Sequence, residues 1–254
     1  FHFQSSLNKD LYKLKETSLE QEKVANDLIE NGLDKTLAQL YSLRGIEKYS
    51  DIARTENLIS FGLLKDIGKA VSALRECILK KKKVCIVADY DVDGATACSI
   101  GLLGFKMLGM NITYVVPDRF RDGYGLTPGV VDQAIAKENP DVIVTVDNGV
   151  ASIDGIKYSN SKKIPVIVTD HHLQGDVLPE AFCIVNPNRN DCTFPSKALA
   201  GCGVIFYVVC ALKEFMIMKG DFTRGNAPNV NSLLDLVAIG TVSDLVKLDK
   251  NNRL

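Results

Sequence analysis

One stretch constrains this chain more than any other: Lys83 to Gly94, which reads KVCIVADYDVDG. Its first half is short, rich in β-branched residues and free of polar alternation, which is typical of a strand buried on both faces of a parallel sheet. Asp89, Asp91 and Asp93 follow this run directly. Three crowded carboxylates repel one another, so the cluster is costly unless cations neutralise it. Taken alone, however, the motif is equally compatible with a solvated acidic turn.

Short apolar runs alternate with amphipathic segments from residue 84 onward. This βαβ pattern predicts an α/β fold, with a parallel β-sheet of about five strands flanked by helices. The predicted strands are 84–88, 112–116, 142–146, 165–169 and 182–185. The predicted helices are 95–109, 128–138, 151–162, 199–219 and 231–239.

The chain before this alternation is predicted to be helical, because apolar side chains recur there at helical spacing. We therefore expect a helical N-terminal region, residues 1–80, followed by the α/β domain, residues 81–254. The apolar stripes are Leu19, Val24, Leu28 and Ile29, then Leu33, Leu37, Leu40 and Leu43, then Ile67, Val71, Leu74 and Ile78.

Composition places few limits on function. The net charge of −1 and the pI near 6.4 do not favour a polyanionic partner, which would need a local basic patch. The longest apolar run, Val204–Leu212, is too short to span a bilayer, so we expect no membrane association. Seven scattered cysteines without a CxxC pair favour reduced thiols and a cytoplasmic protein over disulfides or a structural zinc site.

Three predicted strands end in polar clusters that carry metal-binding groups. These clusters are Asp89, Asp91 and Asp93, then Asp147, Asn148 and Gly149, then Asp170, His171 and His172. The carboxyl ends of parallel strands lie at one edge of the sheet, so the clusters are expected to converge. Carboxylates with one or two imidazoles suit Mn²⁺ or Mg²⁺. Because there are more carboxylates than one ion needs, we expect two ions and hydrolysis of a phosphate ester.

The same motifs carry a resemblance. The sequences DYDVDG (89–94), VDNG (146–149) and TDHH (169–172) resemble the successive motifs of the DHH phosphoesterase superfamily. Within it, VPDRFRDGYGL (116–126), VNPN (185–188), LAGCGV (199–204) and GTVSDLVKLDKNNR (240–253) are similar to the RecJ group of bacterial 5′→3′ exonucleases. The resemblance covers nearly the whole chain.

The resemblance implies roles for individual residues. Asp147 matches the acid that bridges the ions, His172 the group that contacts the scissile phosphate, and Asp170 a residue that orients its neighbours; these three form the implied catalytic set. Whether Asp89 is a ligand or an orienting group stays open. The implied metal ligands are Asp89, Asp91, Asp93, Asp147, His171 and Asp244. The implied substrate-binding residues are Arg119, a clamp for a DNA phosphate, and Asn148, Gly201 and Gly203.

The resemblance also implies a metal-dependent exonuclease that degrades single-stranded DNA in repair and recombination. It implies a cytoplasmic monomer that acts with a helicase and a single-strand-binding protein. Members of the RecJ group continue into a second phosphoesterase-associated domain and an OB-fold domain, so we expect this chain to be the catalytic core of a longer protein. The alternatives are a phosphodiesterase for short oligonucleotides, cyclic dinucleotides or pyrophosphate, a non-catalytic replication scaffold, and an aspartyl-phosphate phosphatase.

Overall fold

The computed structural model describes residues 17–52 and 58–254, apart from the side chain of Arg119. The chain divides into two compact units, and the second unit spans Leu58–Arg253. Each unit is described by itself.

The first unit is a small helical hairpin. Helix α1 spans Leu19–Glu30, α2 spans Lys35–Leu43, and a 3-10 turn covers Tyr49–Asp51. Ser18 and Gln21 form a reciprocal capping box at the start of α1, and Asp34 caps α2 through its side chain. Such caps satisfy the amide groups that a helix leaves unpaired at its first turn.

The core of this hairpin differs from the predicted stripes. Leu28, Ala25 and Ala38 are buried together, but Leu37 and Leu40 of α2 are 49% and 41% exposed. The helices were predicted correctly, whereas the buried face of α2 was not, because Ala38 allows a closer approach than the leucines on either side.

The second unit contains a five-stranded sheet in which all pairs are parallel, as predicted. The strands are β1 (Lys83–Ala88), β2 (Asn111–Val115), β3 (Val142–Val146), β4 (Val166–Thr169) and β5 (Cys183–Val185). Their order is β2-β1-β3-β4-β5, so the direction of winding reverses between β1 and β3. In doubly wound sheets, this reversal opens a crevice at the carboxyl ends of the two strands, where ligands bind.

Helices cover both faces of this sheet. The helices are α3 (Ile67–Leu79), α4 (Val92–Met107), α5 (Arg119–Asp122), α6 (Pro128–Glu138), α7 (Ile153–Ser161), α8 (Gly201–Met218), α9 (Leu234–Ser243) and α10 (Lys250–Arg253). One face of the sheet packs against α3, α4 and α8, and the other against α6 and α7. Alternate strand residues enter the two cores: Ile86 joins the first, and Cys85 and Val87 join the second.

Helix α3 belongs to the sheet unit, although we predicted a domain boundary at residue 80. Its side chains Ile67, Val71 and Leu74 are buried in the core of that unit, on the single face that the sequence predicted. Burial of three aliphatic side chains is worth several kcal/mol, on the order of 2 kcal/mol each. This packing explains why the compact unit begins at Leu58.

Helix α8 is the most apolar element. Its 18 residues, Gly201–Met218, have a mean hydropathy of 1.8, so by length and composition this helix could cross a membrane, whereas we expected no apolar run of that length. Two-thirds of the helix (67%) is buried inside the protein, where it packs against α3, α4 and α9. A core position accounts for this composition.

The remaining local predictions agree with the structure apart from element ends. Thr127 caps α6 by accepting a hydrogen bond from the Val130 amide, and Pro128 occupies the first turn. Helix α4 begins at Val92 instead of residue 95, since Asp91 serves as its N-cap. All seven cysteines are free thiols, as expected.

Candidate metal centre

The acidic motif after β1 forms a tight turn into α4. Asp89 is buried, and its backbone amide donates to the Val146 carbonyl on β3. Asp91 is exposed and accepts a hydrogen bond from the Gly94 amide at 2.7 Å. A side chain at position 94 would place its Cβ 2.4 Å from the Asp89 carbonyl oxygen. Only glycine therefore allows the turn to close this tightly.

Asp93 caps a different helix. It is 1% exposed, and its carboxylate accepts hydrogen bonds from the amides of Gly201 at 2.5 Å and Cys202 at 2.9 Å, the first residues of α8. The residue at the N-cap of α8 is Ala200, which has no side chain for this purpose. A carboxylate at a helix N-terminus also interacts favourably with the helix dipole. Asp93 thus fixes the start of α8 against the sheet edge.

Gly201 and Gly203, two of the predicted substrate-binding residues, lie at the start of α8. Both are buried in the first turn of α8. A Cβ on Gly201 would lie 2.6 Å from the Cβ and Oδ1 of Asp147, and one on Gly203 would lie 3.3 Å from Leu199. Their place in the structure indicates close packing, and Gly201 brings the helix backbone against Asp147.

Asp147 lies at the centre of the site. It follows β3 with a left-handed backbone (φ 60°) and is 1% exposed. Its Oδ1 atom is 3.1 Å from His171 Nε2. The same imidazole nitrogen is 3.6 Å from Asp244 Oδ2 and 3.8 Å from Asp93 Oδ2. The structure therefore brings together acids that lie far apart in the sequence.

Several buried polar atoms at this edge have no hydrogen-bond partner. Within the described residues, they are Thr145 Oγ1, Asp147 Oδ1, Asn148 Oδ1 and His171 Nε2. Buried polar groups in proteins are nearly always satisfied, so each exception needs an explanation. A carboxylate oxygen and an imidazole nitrogen facing each other without a hydrogen bond fit two ligands of one cation.

Burial and mutual repulsion raise the pKa values of several acids in this cluster. Burial, reinforced by Asp93 and Asp91, raises the pKa of Asp147 to about 10. Burial also raises the pKa of Asp89 and of Asp244 above the usual range of a carboxyl group. The cluster cannot hold its full negative charge without a compensating cation.

The ligand atoms fall into sets that each fit around an ion. Within each of three sets, the ligand atoms lie within 4.8 Å of one another: Asp89, Asp91 and Asp147; Asp93, His171 and Asp244; and Asp147, His171 and His172. Asp147 belongs to the first and third sets, and its Oδ1 faces His171 of the second. Oxygen-rich sets with imidazole suit Mn²⁺ or Mg²⁺. The arrangement fits two ions with Asp147 between them.

His172 is held by Asp170. Asp170 Oδ1 is 2.7 Å from His172 Nδ1 and also accepts from the amides of His171 and His172, while Oδ2 accepts from the Val150 amide. Burial acts to raise the pKa of Asp170, but these hydrogen bonds outweigh it, and the pKa lies below the usual range. The hydrogen bond to Asp170 raises the pKa of His172. Asp170 therefore orients the imidazole and favours its charged form.

Asn148, another predicted substrate-binding residue, lies between the ends of β1 and β3. It is 1% exposed, and its Nδ2 donates to the carbonyls of Val87 at 3.1 Å and Val146 at 2.9 Å. These bonds join the ends of β1 and β3, the two strands that deliver Asp89 and Asp147. Arg119 begins α5, but its side chain lies outside what the structure describes.

Two asparagines of the VNPN motif (185–188), for which the sequence predicted no role, contact the histidines of the site. The side-chain amide of Asn186 donates to the His172 carbonyl at 2.9 Å, and that of Asn188 donates to the His171 carbonyl. Both follow β5, the next strand in the sheet after β4. An Asn-Pro-Asn sequence directly after a predicted strand was the signal that could have placed them at this edge.

Comparison with known proteins supports the assignment of this site as a metal centre. Residues 83–241 match the DHH family, N-terminal domain. Over 226 residues the chain is 48% identical to the "Single-stranded-DNA-specific exonuclease RecJ" of Salmonella typhimurium and 47% identical to that of Escherichia coli, covering 87% of this chain and 39% of each relative. The chain thus spans about two-fifths of the length of these relatives.

Two solved structures agree with the fold. "Crystal structure of exonuclease RecJ bound to manganese" matches with a TM-score of 0.66 and 30% identity over 77% of this chain and 47% of that chain. A structure of RecJ from Thermus thermophilus in complex with Mn²⁺ matches with a TM-score of 0.70 and 27% identity over 92% of this chain and 32% of that chain. The family match extends over more than half of the sequence and includes five of the six predicted metal ligands. On this basis, the chain belongs to the DHH family.

Proposed function

We propose that this chain is the metal-bearing part of a hydrolase that cleaves the phosphodiester bonds of single-stranded DNA from its 5′ end. The observation that carries the proposal is the unpartnered pair of Asp147 Oδ1 and His171 Nε2, buried between two sets of carboxylates. The names of the relatives support the substrate, and the Mn²⁺ in the solved relatives supports the ion.

Six residues would hold the ions: Asp89, Asp91, Asp93, Asp147, His171 and Asp244. When bound, Mn²⁺ or Mg²⁺ polarises phosphate oxygens and lowers the pKa of a bound water, which supplies a nucleophile at neutral pH. Asp147 belongs to the set with Asp89 and Asp91, and its Oδ1 faces His171 of the other set, so it would be shared by the two ions. Its high pKa means that the metal-free centre carries a proton there, which the ions displace.

His172 is proposed to act on the phosphate. Its Nδ1 is engaged by Asp170, and its ring is 45% exposed at the open side of the site. Since Asp170 favours the charged imidazolium, His172 is placed to stabilise negative charge that develops on the phosphate oxygens. Arg119 is proposed to hold a second phosphate, as a guanidinium can bind one bidentately.

The test is hydrolysis of end-labelled DNA in the presence of Mn²⁺. We expect mononucleotides to be released from single-stranded 5′ ends and not from blunt duplexes. The Asp147→Asn variant should lose both turnover and Mn²⁺ binding, whereas Glu180→Gln, the same change at an exposed acid, should keep both. Normal turnover of Asp147→Asn would refute the proposed role of the central acid.

The nearest alternative is a phosphodiesterase for short substrates. The net charge of −1 gives no sign of a broadly basic groove, so substrate length needs a direct measurement. A long 5′-phosphorylated strand should be hydrolysed faster than a dinucleotide or pyrophosphate; the reverse order would favour the alternative. A monomeric state, a cytoplasmic location, and cooperation with a helicase and a single-strand-binding protein are further parts of the proposal.

A further inference from the structure

Phe120 on the short helix α5 is almost completely exposed. Its side chain is 96% accessible, more than any other large hydrophobic residue in the described part of the chain. It stands between Arg119 and Arg121 in the sequence; the side chain of Arg121 is 76% exposed, and its Nε lies 3.6 Å from Asp118 Oδ2 in a surface ion pair. Phe120 buries almost no surface, so it contributes little to folding, and its ring is free to contact a ligand.

Phe120 is joined by a short stretch of chain to a tyrosine that contacts His172 of the site. Strand β2, which ends at Val115 beside the end of β1, leads into α5 within a few residues. Tyr124, four residues after Phe120, has its ring 5.9 Å from the ring of His172 and 6.5 Å from that of Tyr90. Four residues span at most about 14 Å, so the backbone of Phe120 lies within that distance of Tyr124.

Hydrogen bonds hold this exposed turn in place. Asp118 caps it by accepting from the Phe120 amide at 2.9 Å, and Asp122 accepts from the Asp118 amide at 2.8 Å. The other oxygen of Asp122 accepts from Gln133 Nε2 on α6 at 2.7 Å. These hydrogen bonds fix the turn that carries the exposed Phe120 side chain. Binding at Phe120 therefore costs little conformational entropy, because the backbone is already ordered.

We propose that Phe120 is a stacking platform for a nucleobase of the single strand, outside the metal centre. This inference rests on the proposed function and adds a contact to a base of the strand, whereas the metal centre contacts its phosphates. An aromatic ring accepts any base because every base has a π-face, and flanking arginines suit the neighbouring phosphates. The contact would favour polynucleotides over pyrophosphate, which has no ring to stack.

The first experiment uses fluorescence and does not depend on turnover. The protein contains no tryptophan, so Phe120→Trp introduces a single reporter at an exposed position. We expect quenching when this variant is titrated with an oligothymidylate whose 5′ linkages are phosphorothioates to slow hydrolysis. An abasic strand with the same number of phosphates should bind with much less quenching. Equal quenching by both strands, or none by either, would overturn the inference.

The second experiment separates stacking from general hydrophobic contact. Phe120→Ala should raise the KM for single-stranded DNA roughly fivefold or more, the lower end of the range for one stacked base, with kcat little changed. Phe120→Tyr should keep the wild-type KM, and Phe120→Leu should not. Met218→Ala, at a 70% exposed apolar residue at the end of α8, is the matched control.

The substrate supplies the complementary test. A single abasic residue, moved along the first nucleotides of the strand, should weaken wild-type hydrolysis at one position, and the same lesion should have no further effect in Phe120→Ala. An unchanged KM in Phe120→Ala, or full rescue by leucine, would contradict stacking. If the wild-type protein hydrolyses no strand at all, the proposed function fails, and the fluorescence titration still decides whether Phe120 meets a base.

Discussion

Replacing Asp147 by asparagine should stabilise the metal-free protein. Burial raises the pKa of this carboxyl to about 10, whereas its value in the unfolded chain is close to 3.8. At pH 7 the folded protein therefore takes up a proton that the unfolded chain has released. Each unit between 3.8 and 7 costs ~1.4 kcal/mol, so the total is about 4 kcal/mol. Asparagine is neutral and similar in size, and it carries no such cost.

Part of the raised pKa of Asp147 comes from repulsion by Asp91 and Asp93, so part of this cost belongs to the whole group of acids. We therefore expect Asp147→Asn to gain about 2–4 kcal/mol in the free energy of unfolding. For a unit of this size, that corresponds to a rise in Tm on the order of 10 °C. The measurement is urea and thermal unfolding in EDTA and again with Mn²⁺. Wild type should gain about 3 kcal/mol at a Mn²⁺ concentration of roughly a hundred times Kd, and Asp147→Asn much less.

The pH dependence has a definite sign. Because the folded pKa of Asp147 is raised, the folded state binds more protons than the unfolded state between pH 3.8 and about 10. Its contribution to stability is present at low pH and is lost as the pH rises through that range. Asp89, Asp244 and His172 also have raised pKa values and act in the same direction.

In EDTA, the free energy of unfolding of wild type should therefore fall from pH 5 to pH 9, and the slope should be shallower in Asp147→Asn. Saturating Mn²⁺ should reduce the slope of wild type, since the ions keep the carboxylates ionised in the folded state. A metal-free Asp147→Asn protein that is less stable than wild type would refute the reasoning, as would an equal gain from Mn²⁺ in both proteins.

Four further substitutions test the packing around the site. Gly201→Ala should cost roughly 1–3 kcal/mol of stability and weaken Mn²⁺ binding, because its Cβ would lie 2.6 Å from Asp147; Gly203→Ala, whose Cβ meets Leu199 at 3.3 Å, should cost less in urea unfolding. Asn148→Ala should lower the free energy of unfolding by about 2–3 kcal/mol, since two buried strand carbonyls lose their donor. It should also raise the Kd for Mn²⁺. An unchanged Kd would show that the hydrogen bonds joining β1 and β3 do not position the acids. Asp93→Asn should cost about 2–4 kcal/mol in EDTA, because asparagine cannot accept from both amides at the start of α8, and it should cost more in saturating Mn²⁺, because a ligand is also lost. A gain in EDTA, as expected for Asp147→Asn, would contradict its capping role.

The sheet was predictable because its strands are buried on both faces. Such strands appear in the sequence as continuous β-branched runs, and the residues of β3, Val142–Val146, were assigned without error. The other four strands are offset by at most one residue at either end. Convergence of the acids then followed from the geometry of parallel strands alone.

The start of α4 shows where local reasoning was incomplete. The sequence predicted that the helix begins at residue 95, after the three acids, but Asp91 is a helix cap and Asp93 lies inside the first turn. The Gly94 amide that donates to Asp91 is three residues away, which is the usual spacing of an N-cap. The start of α4 is therefore set by a local contact, even though the acids repel one another.

Other roles depend on contacts that no local pattern contains. Asp93 caps a helix that begins 108 residues later, and Gly201 is required by the position of Asp147. The resemblance implies a substrate contact for Asn148, and the structure shows in addition that its side-chain amide donates to carbonyls at the ends of two strands. Asp244 was found only through the resemblance, since it lies at the end of α9 and follows no strand.

The contrast between Asp93 and Asp147 explains how one fold tolerates so many acids. Both are 1% exposed, yet the charge of Asp93 is met by two backbone amides and a helix N-terminus, while Asp147 Oδ1 meets no donor. Helix α8 therefore neutralises one carboxylate through its own backbone, and its first residue, Gly201, at the same time packs against the other. The negative charge that remains is concentrated on Asp147 and the acids around it, where only a cation or a proton can balance it. The apolar helix at the centre of the fold and the polar edge of the sheet are thus parts of one arrangement: the helix can be buried because Asp93 satisfies its first amides, and Asp147 is left for a metal ion because the helix brings it no donor.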